Sequence, residues 1–311
     1  MKMTPRTIAT VLILLLLGCV PIYAQIAGEP FYLALFGRVL VYAIAAVSLN
    51  LLLGYGGLVS FGHALFLGLG AYSVGILSHH GIDNGWLHLL AAVVVCAVVG
   101  LISGAVVLRT TGIAFIMITL AFAQMFYFLT VSLNEYGGDD GMSIFQGSNF
   151  GILKLDDPLT LYYTSFVLLL VLLFGMHKLI GARFGMVIRG TQTNERRMKA
   201  MGFSVLPYKL TAYVLSAIVC GLAGVLIANL TLYISPSYLA WTTSGELVVM
   251  VVLGGLGTLM GPVAGAVAFL LMEEVLKAWT EHWMLVLGLI IVVIVMVSRR
   301  GIIGNLRGSS K

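Results

Sequence analysis

Charge is scarce in this sequence: Asp, Glu, Lys and Arg together make up 9% of 311 residues, 60% are hydrophobic and mean hydropathy is +1.07. A soluble domain carries roughly 25% charged residues, so a water-soluble globular chain is excluded. Cysteine is scarce too, with only Cys19, Cys96 and Cys220. Each stands alone inside an apolar run, which rules out a disulfide framework or zinc spacing and reads as three buried small hydrophobes. The sequence also has no G-x-x-x-x-G-K-S/T, HExxH or GxSxG motif and no helix face that aligns His with Asp. It therefore predicts no ATP site, catalytic site, metal site or cofactor within the chain, and any energy source must act through a partner. The net charge of +5 does not point to nucleic acid, because the basic residues stand where apolar segments end.

The apolar runs are long. A spanning helix needs about 20 mostly apolar residues, and roughly 7–26, 32–53, 60–78, 87–108, 112–133, 160–180, 208–233 and 283–298 qualify. Two more come from 244–280, which "GGLGTLMGP" interrupts. The fold expected is an all-α polytopic membrane protein of about ten helices, one transmembrane domain over 1–311, with both termini in the cytoplasm. That orientation puts all but Arg38, Lys154 and Lys277 of the 17 Lys and Arg inside, as the positive-inside rule requires. Acidic residues gather instead in an external loop at 134–159. The start, "MKMTPRTIATVLILLLLGC", has the form of a signal peptide, but its apolar run continues to Ala27, which favours a retained first helix. Cleavage would leave the later assignments unchanged.

Two stretches share a pattern, "LNLLLGYGGLVSFGHALFLGLGAY" (49–72) and "LVVMVVLGGLGTLMGPVAGAVAF" (247–269). Each ends an apolar run in Leu-Gly, adds a Gly three residues later (Gly54 and Gly57; Gly254 and Gly257), and opens a second run rich in small residues. They read as a weak, parallel internal repeat. Two readings stay open: broken helices beside a transport path, with Gly54, Gly57, Ser60, His63, Gly254, Gly257, Gly261 and Pro262 as candidates, or tight turns packed by small residues. His63 either lines that path or bonds a nearby carbonyl. Thr243 and Glu246 have capping-box spacing, Glu273 and Lys277 the spacing of a helical ion pair. Asn50, Gln124 and Asn229 suit interhelical hydrogen bonding. No series of intramembrane carboxylates marks a proton-coupled carrier.

The densest charge is "TNERRMKAMGFSVLPYKL" (193–210), within a predicted cytoplasmic loop at 181–208. Asn194 suits an N-cap, Gly202 a C-terminal stop, Glu195 and Lys199 an i, i+4 pair, and Pro207 the first turn of the next membrane helix. A helix this short needs packing to persist, for which Met198 and Met201 offer an apolar face. It is either an anchor at the anionic membrane surface or a docking helix for a partner.

These blocks, with "SPSYLAWTTSGELVVMVVLGGLGTLMGPVAGA", resemble the LivM-type permease subunits of branched-chain amino acid ABC importers from about Ser48 to Ile303. The resemblance implies a bacterial inner-membrane permease with no ATPase of its own. It would pair with a second related permease, two cytoplasmic ATPases that hold ATP and Mg, and a periplasmic substrate-binding protein. It makes the segment of Asn194, Glu195, Ala200 and Gly202 the loop that couples to the ATPases, with Arg189, Arg196, Met198, Lys199 and Met201 beside it. Family members often read Arg-Ala-Ile-Arg-x-Asn-Glu there, whereas Arg189 to Glu195 is "RGTQTNE", so Gln192 replaces the second basic residue. The expected cargo is leucine, isoleucine or valine. Alternatives are urea or an aromatic acid carried by the same machinery, or a stand-alone gradient-driven carrier.

Overall fold

Proline and polar caps start many of the helices, and glycine or polar loops end them. The computed structural model describes residues 5–151, 155–297 and 301–305. In chain order the helices are α1 (Pro5–Ala27), α2 (Pro30–Asn50), a π-turn (Leu51–Tyr55), α3 (His63–His79), α4 (Gly85–Val107), α5 (Ile113–Ser132) and α6 (Pro158–Gly181). Then follow α7 (Arg183–Ala200), α8 (Val205–Thr231), α9 (Trp241–Gly254), α10 (Gly261–Trp279), α11 (Trp283–Val297) and the short α12 (Gly301–Asn305). Pro30, Pro158 and Pro262 occupy first turns, where the missing N–H costs no bond. Asn84 and Asp157 accept backbone N–H groups at the starts of α4 and α6, 3.0 Å from Trp86 and 3.1 Å from Thr160.

A helix occupies most of every predicted apolar run, and the architecture is that of a polytopic membrane protein. Among the described residues, 6 helices are long and apolar enough to cross a membrane: α1, α2 with its π-turn, α4, α5, α6 and α8. The glycine interruptions leave α3 at 17 residues and α9 at 14, while α10 carries Glu273, Glu274 and Lys277. One departure from an all-helical fold is a two-residue strand pair, β1 (Met142–Ser143) antiparallel to β2 (Tyr233–Ile234).

The core runs along α2, in which every residue from Val39 to Asn50 is buried, enclosed by α6, α8, α9 and α10. Cys96 and Cys220 are buried as expected, but Cys19 is exposed. Its helix, α1, lies at the rim and packs on α2 and α6, so most of its apolar surface faces outward.

The connections sort to two ends. At one, Asn84 bridges to Asn149, β1 meets β2, and Asn229 Oδ1 accepts from Ser148 N at 2.7 Å. Asp83, Glu135, Asp139, Asp140, Asp156 and Asp157 belong to this end's loops. At the other, the two glycine interruptions meet each other, and the first also meets α7 and lies beside Gly112, among Arg109, Arg183, Arg189, Arg196, Arg197 and Lys199. Lys2, Lys154, Arg299, Arg300, Arg307 and Lys311 lie outside the described residues.

Within 181–208 the helix is longer than the expected two turns, because α7 starts at Arg183. One local expectation is corrected: Thr243 and Glu246 do not form a capping box, because α9 begins at Trp241 after Ala240 and Thr243 Oγ1 donates to the Ser237 carbonyl at 3.1 Å. The preceding turn, Pro236–Leu239, runs straight into α9 and takes up the hydroxyl.

Candidate functional site

α7 is two helices joined at Asn194, whose extended backbone (φ −160°, ψ 101°) interrupts the spiral. Its side chain caps the second piece, accepting from Arg197 N at 3.0 Å. That piece closes with a Schellman motif: Gly202 N donates to Lys199 O at 3.0 Å and Phe203 N to Met198 O at 3.2 Å. The turn needs φ +87° at residue 202, a conformation in which glycine carries no Cβ penalty. The two-turn helix expected from sequence is therefore present, with both caps.

Glu195 joins this helix to α8. It pairs with Lys199 Nζ at 2.9 Å and Lys209 Nζ at 2.6 Å. Hydrogen bonds from Lys199 and then Lys209 hold its carboxyl below the usual glutamate value. Lys209 lies one residue past the expected loop's end at 208, and its pairing had no local signal. Met198 is buried with Val187 and Val205, so it anchors the helix to its own chain. Met201 faces the opposite way and is 57% exposed, beside exposed Arg196, Arg197, Ala200, Phe203 and Leu206. The two methionines thus do not form one face. Arg189 is engaged locally, donating to Ile180 O at 3.0 Å and Gly185 O at 3.3 Å, which secures the α6–α7 corner.

The two glycine-rich interruptions lie against each other. A Cβ on Gly54 would meet Asn50 Oδ1 and come 2.5 Å from Gly257 N, so only glycine permits this backbone approach. Asn50, 3% exposed, clamps the pair: its Nδ2 donates to Thr258 O at 2.9 Å, and its Oδ1 accepts from Gly257 N at 3.2 Å. The π-turn that follows Asn50 is a form of helix that recurs where function needs a local distortion. Gly254, Gly261 and Pro262 are buried at the second interruption, where a Cβ on Gly254 would strike the Gly261 carbonyl.

Gln192 connects the two features. Its Nε2 donates to Gly54 O at 3.3 Å, and a Cβ on Gly57 would lie 2.9 Å from its Cγ. Gln192 is therefore where α7 touches the first interruption.

Ser60 and His63 are fully buried. Ser60 Oγ accepts from Gly62 N at 3.3 Å. Ser216 Oγ donates to Ser48 O at 2.5 Å and Ser48 Oγ to Ala45 O at 2.6 Å. Both hydroxyl protons being committed, His63 Nε2 must be the donor to the two oxygens, at 3.0 and 3.1 Å. Its Nδ1 has no partner among the described residues. His63 thus bonds two serines rather than a carbonyl and pins the start of α3 to α2 and α8.

Residues 31–295 match the family described as branched-chain amino acid transport system, permease component. The chain belongs to this permease family. It is 28% identical over 296 residues to the high-affinity branched-chain amino acid transport system permease protein LivM of Escherichia coli, covering 88% of this chain and 70% of that one. A probable LivM of Methanocaldococcus jannaschii is 24% identical, covering 80% and 82%. The permease protein LivH of Escherichia coli is 25% identical, covering 85% and 91%. No solved structure matches the chain.

Within the permease, the caps at Asn194 and Gly202 and the Glu195–Lys199 pair were readable in sequence. The Asn50 clamp and the Gln192 contact were not. Asn50 and Gly257 are 207 positions apart, and only the shared Leu-Gly pattern hinted that the two stretches belong together.

Proposed function

We infer that this permease is the transmembrane subunit of an ATP-driven importer of branched-chain amino acids, in the inner membrane of a bacterium. It crosses the membrane ten times, each crossing a segment of about 20 apolar residues, with the basic end of the bundle in the cytoplasm. A second related permease completes the path, a periplasmic binding protein delivers the solute, and two cytoplasmic ATPases bind and hydrolyse ATP with Mg. Relatives named LivM and LivH both align with the chain, which supports a permease pair.

The observation that carries the mechanism is the contact of Gln192 with Gly54. The capped helix from Glu195 to Ala200 exposes Arg196, Arg197, Ala200 and Met201 on the basic end, a surface suited to an ATPase groove. Glu195 and Met198 fix that helix to α8 and to the first half of α7, so a push on its exposed side moves the two halves together. Gln192 then passes the displacement to the paired glycine interruptions, which Asn50 keeps in register. In this reading Gly54, Gly57, Ser60, His63, Gly254, Gly257, Gly261 and Pro262 form the moving joint beside the path, and α2 with α9 and α10 tilts about it. Arg189 supports the corner from which α7 departs.

The test is isolation of the intact complex from its native membrane through a tag on this chain, with co-purifying subunits identified by mass spectrometry. A second permease and an ABC ATPase in stoichiometric amounts are expected. A chain recovered alone, active in gradient-driven transport, would overturn the reading.

A further inference from the structure

Four charged side chains lie among the apolar helices at a distance from the glycine interruptions. Glu273 on α10 is 5% exposed, and its Oε1 accepts from Arg38 Nη2 at 3.1 Å and Lys277 Nζ at 2.5 Å. Arg38 stands on α2, twelve residues before Asn50, about 18 Å along the helix at 1.5 Å per residue. The cluster therefore lies in the half of the bundle opposite the basic end. The Arg38 guanidinium is 5.6 Å from the centre of the Tyr42 ring, and Lys277 Nζ 4.7 Å from that of Trp283. Glu246 on α9 is within electrostatic reach of Glu273, Arg38 and Lys277, and Tyr42 is within reach of Glu246 and Tyr238.

These groups are unequally satisfied. Glu273 holds two cations, whereas Glu246 has no hydrogen bond or ion pair among the described residues. With the capping box overturned, it has no structural task in α9 either. Arg38 uses one nitrogen on Glu273, and 34% of its side chain is exposed, which leaves guanidinium donors open. A charged side chain inside the bilayer is costly and by default marks a functional site. An open carboxylate and an open guanidinium on the packed helices α9 and α2, within electrostatic reach of each other, match a ligand that carries opposite charges on neighbouring atoms. The guanidinium fork also fits a carboxylate in geometry, which an ammonium would not.

We propose that Arg38 and Glu246 form a zwitterion-recognising subsite of the transport path, Arg38 taking the α-carboxylate and Glu246 the α-ammonium of the passing amino acid. Glu273 and Lys277 are positioning residues that hold Arg38 against α10. The subsite rests on the permease reading above. It selects the α-amino acid headgroup and is indifferent to the side chain, so discrimination among apolar side chains falls to other contacts.

The test uses the complete complex in proteoliposomes, supplied with binding protein saturated with leucine. Glu246→Gln and Arg38→Gln complexes should be recovered with all subunits, and ATP hydrolysis stimulated by the binding protein should stay within about twofold of the unsubstituted complex. Leucine uptake should fall at least about thirtyfold, the low end of what removing one partner of a desolvated charge pair costs. Glu246→Asp and Arg38→Lys, which keep the charge, should recover part of it. A wild-type complex that imports leucine beside Glu246→Gln and Arg38→Gln complexes that import it equally well overturns the subsite alone. Loss of the partner permease from the Glu246→Gln complex also overturns it, by making the cluster a subunit contact. Failure of the wild-type complex to import any amino acid overturns the permease reading, and the subsite with it.

Discussion

Replacing Asn50 by alanine tests the joint at its most constrained point. The side chain is buried and makes two bonds to the opposite interruption, 2.9 Å to Thr258 O and 3.2 Å from Gly257 N. Alanine orphans both backbone groups. Each buried group left without a partner costs about 1–3 kcal/mol. In a bilayer the low half of that range applies, because the unfolded chain also finds partners there. The expected loss is about 2–4 kcal/mol for the pair, read as a shift in equilibrium unfolding in mixed SDS micelles. Asn50→Asp keeps the acceptor for Gly257 and removes the donor to Thr258, so it separates the two bonds. Transport should suffer more than ATP hydrolysis, because the ATPases still engage the capped helix while the two interruptions no longer move together. A loss below about 0.5 kcal/mol, far under the range for even one orphaned group, together with unchanged uptake would refute the clamp.

Gly54→Ala should be worse tolerated than alanine at the open position Gly175: its Cβ meets Asn50 Oδ1 and the Gly257 backbone, and overpacking of this kind costs about 1–3 kcal/mol or more. A normal unfolding midpoint for Gly54→Ala would show that the two interruptions do not touch. Gly202→Pro or Glu195→Arg should abolish uptake and ATPase association while the chain still inserts, measured by membrane fractionation and co-purification; uptake at the unsubstituted rate argues against docking through this helix. Because its partners lower the Glu195 pKa from 4.5, the stabilisation they give is complete above that value and is lost as pH falls through the depressed one. ATPase association should thus be independent of this group from pH 8 to 5 and decline only below 4.5; a Glu195→Gln complex that matches the original at pH 7 would contradict the pairing.

The helices were legible because bilayer-spanning segments must be long and apolar, and each such run folded as one. The 194–202 helix was legible because its caps are local: Asn194 and the glycine at 202 are read from adjacent residues. The first half of α7 escaped notice because Arg183 to Thr193 mixes glycine, arginine and threonine with few apolar positions. It is held by packing of Val187 and Ile188 rather than by propensity. The sequence pattern misassigned Thr243, since capping-box spacing cannot reveal that the Ser237 carbonyl competes for the hydroxyl. Lys209, Arg38 and Gln192 found their partners through tertiary contacts, at separations of 14, 235 and 138 residues, beyond any local signal.

Uptake of radiolabelled leucine into proteoliposomes separates an ATP-driven permease from a stand-alone carrier, with this chain reconstituted alone and with its co-purifying subunits and binding protein. The chain alone should be inactive under any imposed ion gradient, and the complete complex should import leucine only with ATP and binding protein present. Gradient-driven uptake by the chain alone, or uptake by the complex without ATP, would contradict the ATP-driven reading.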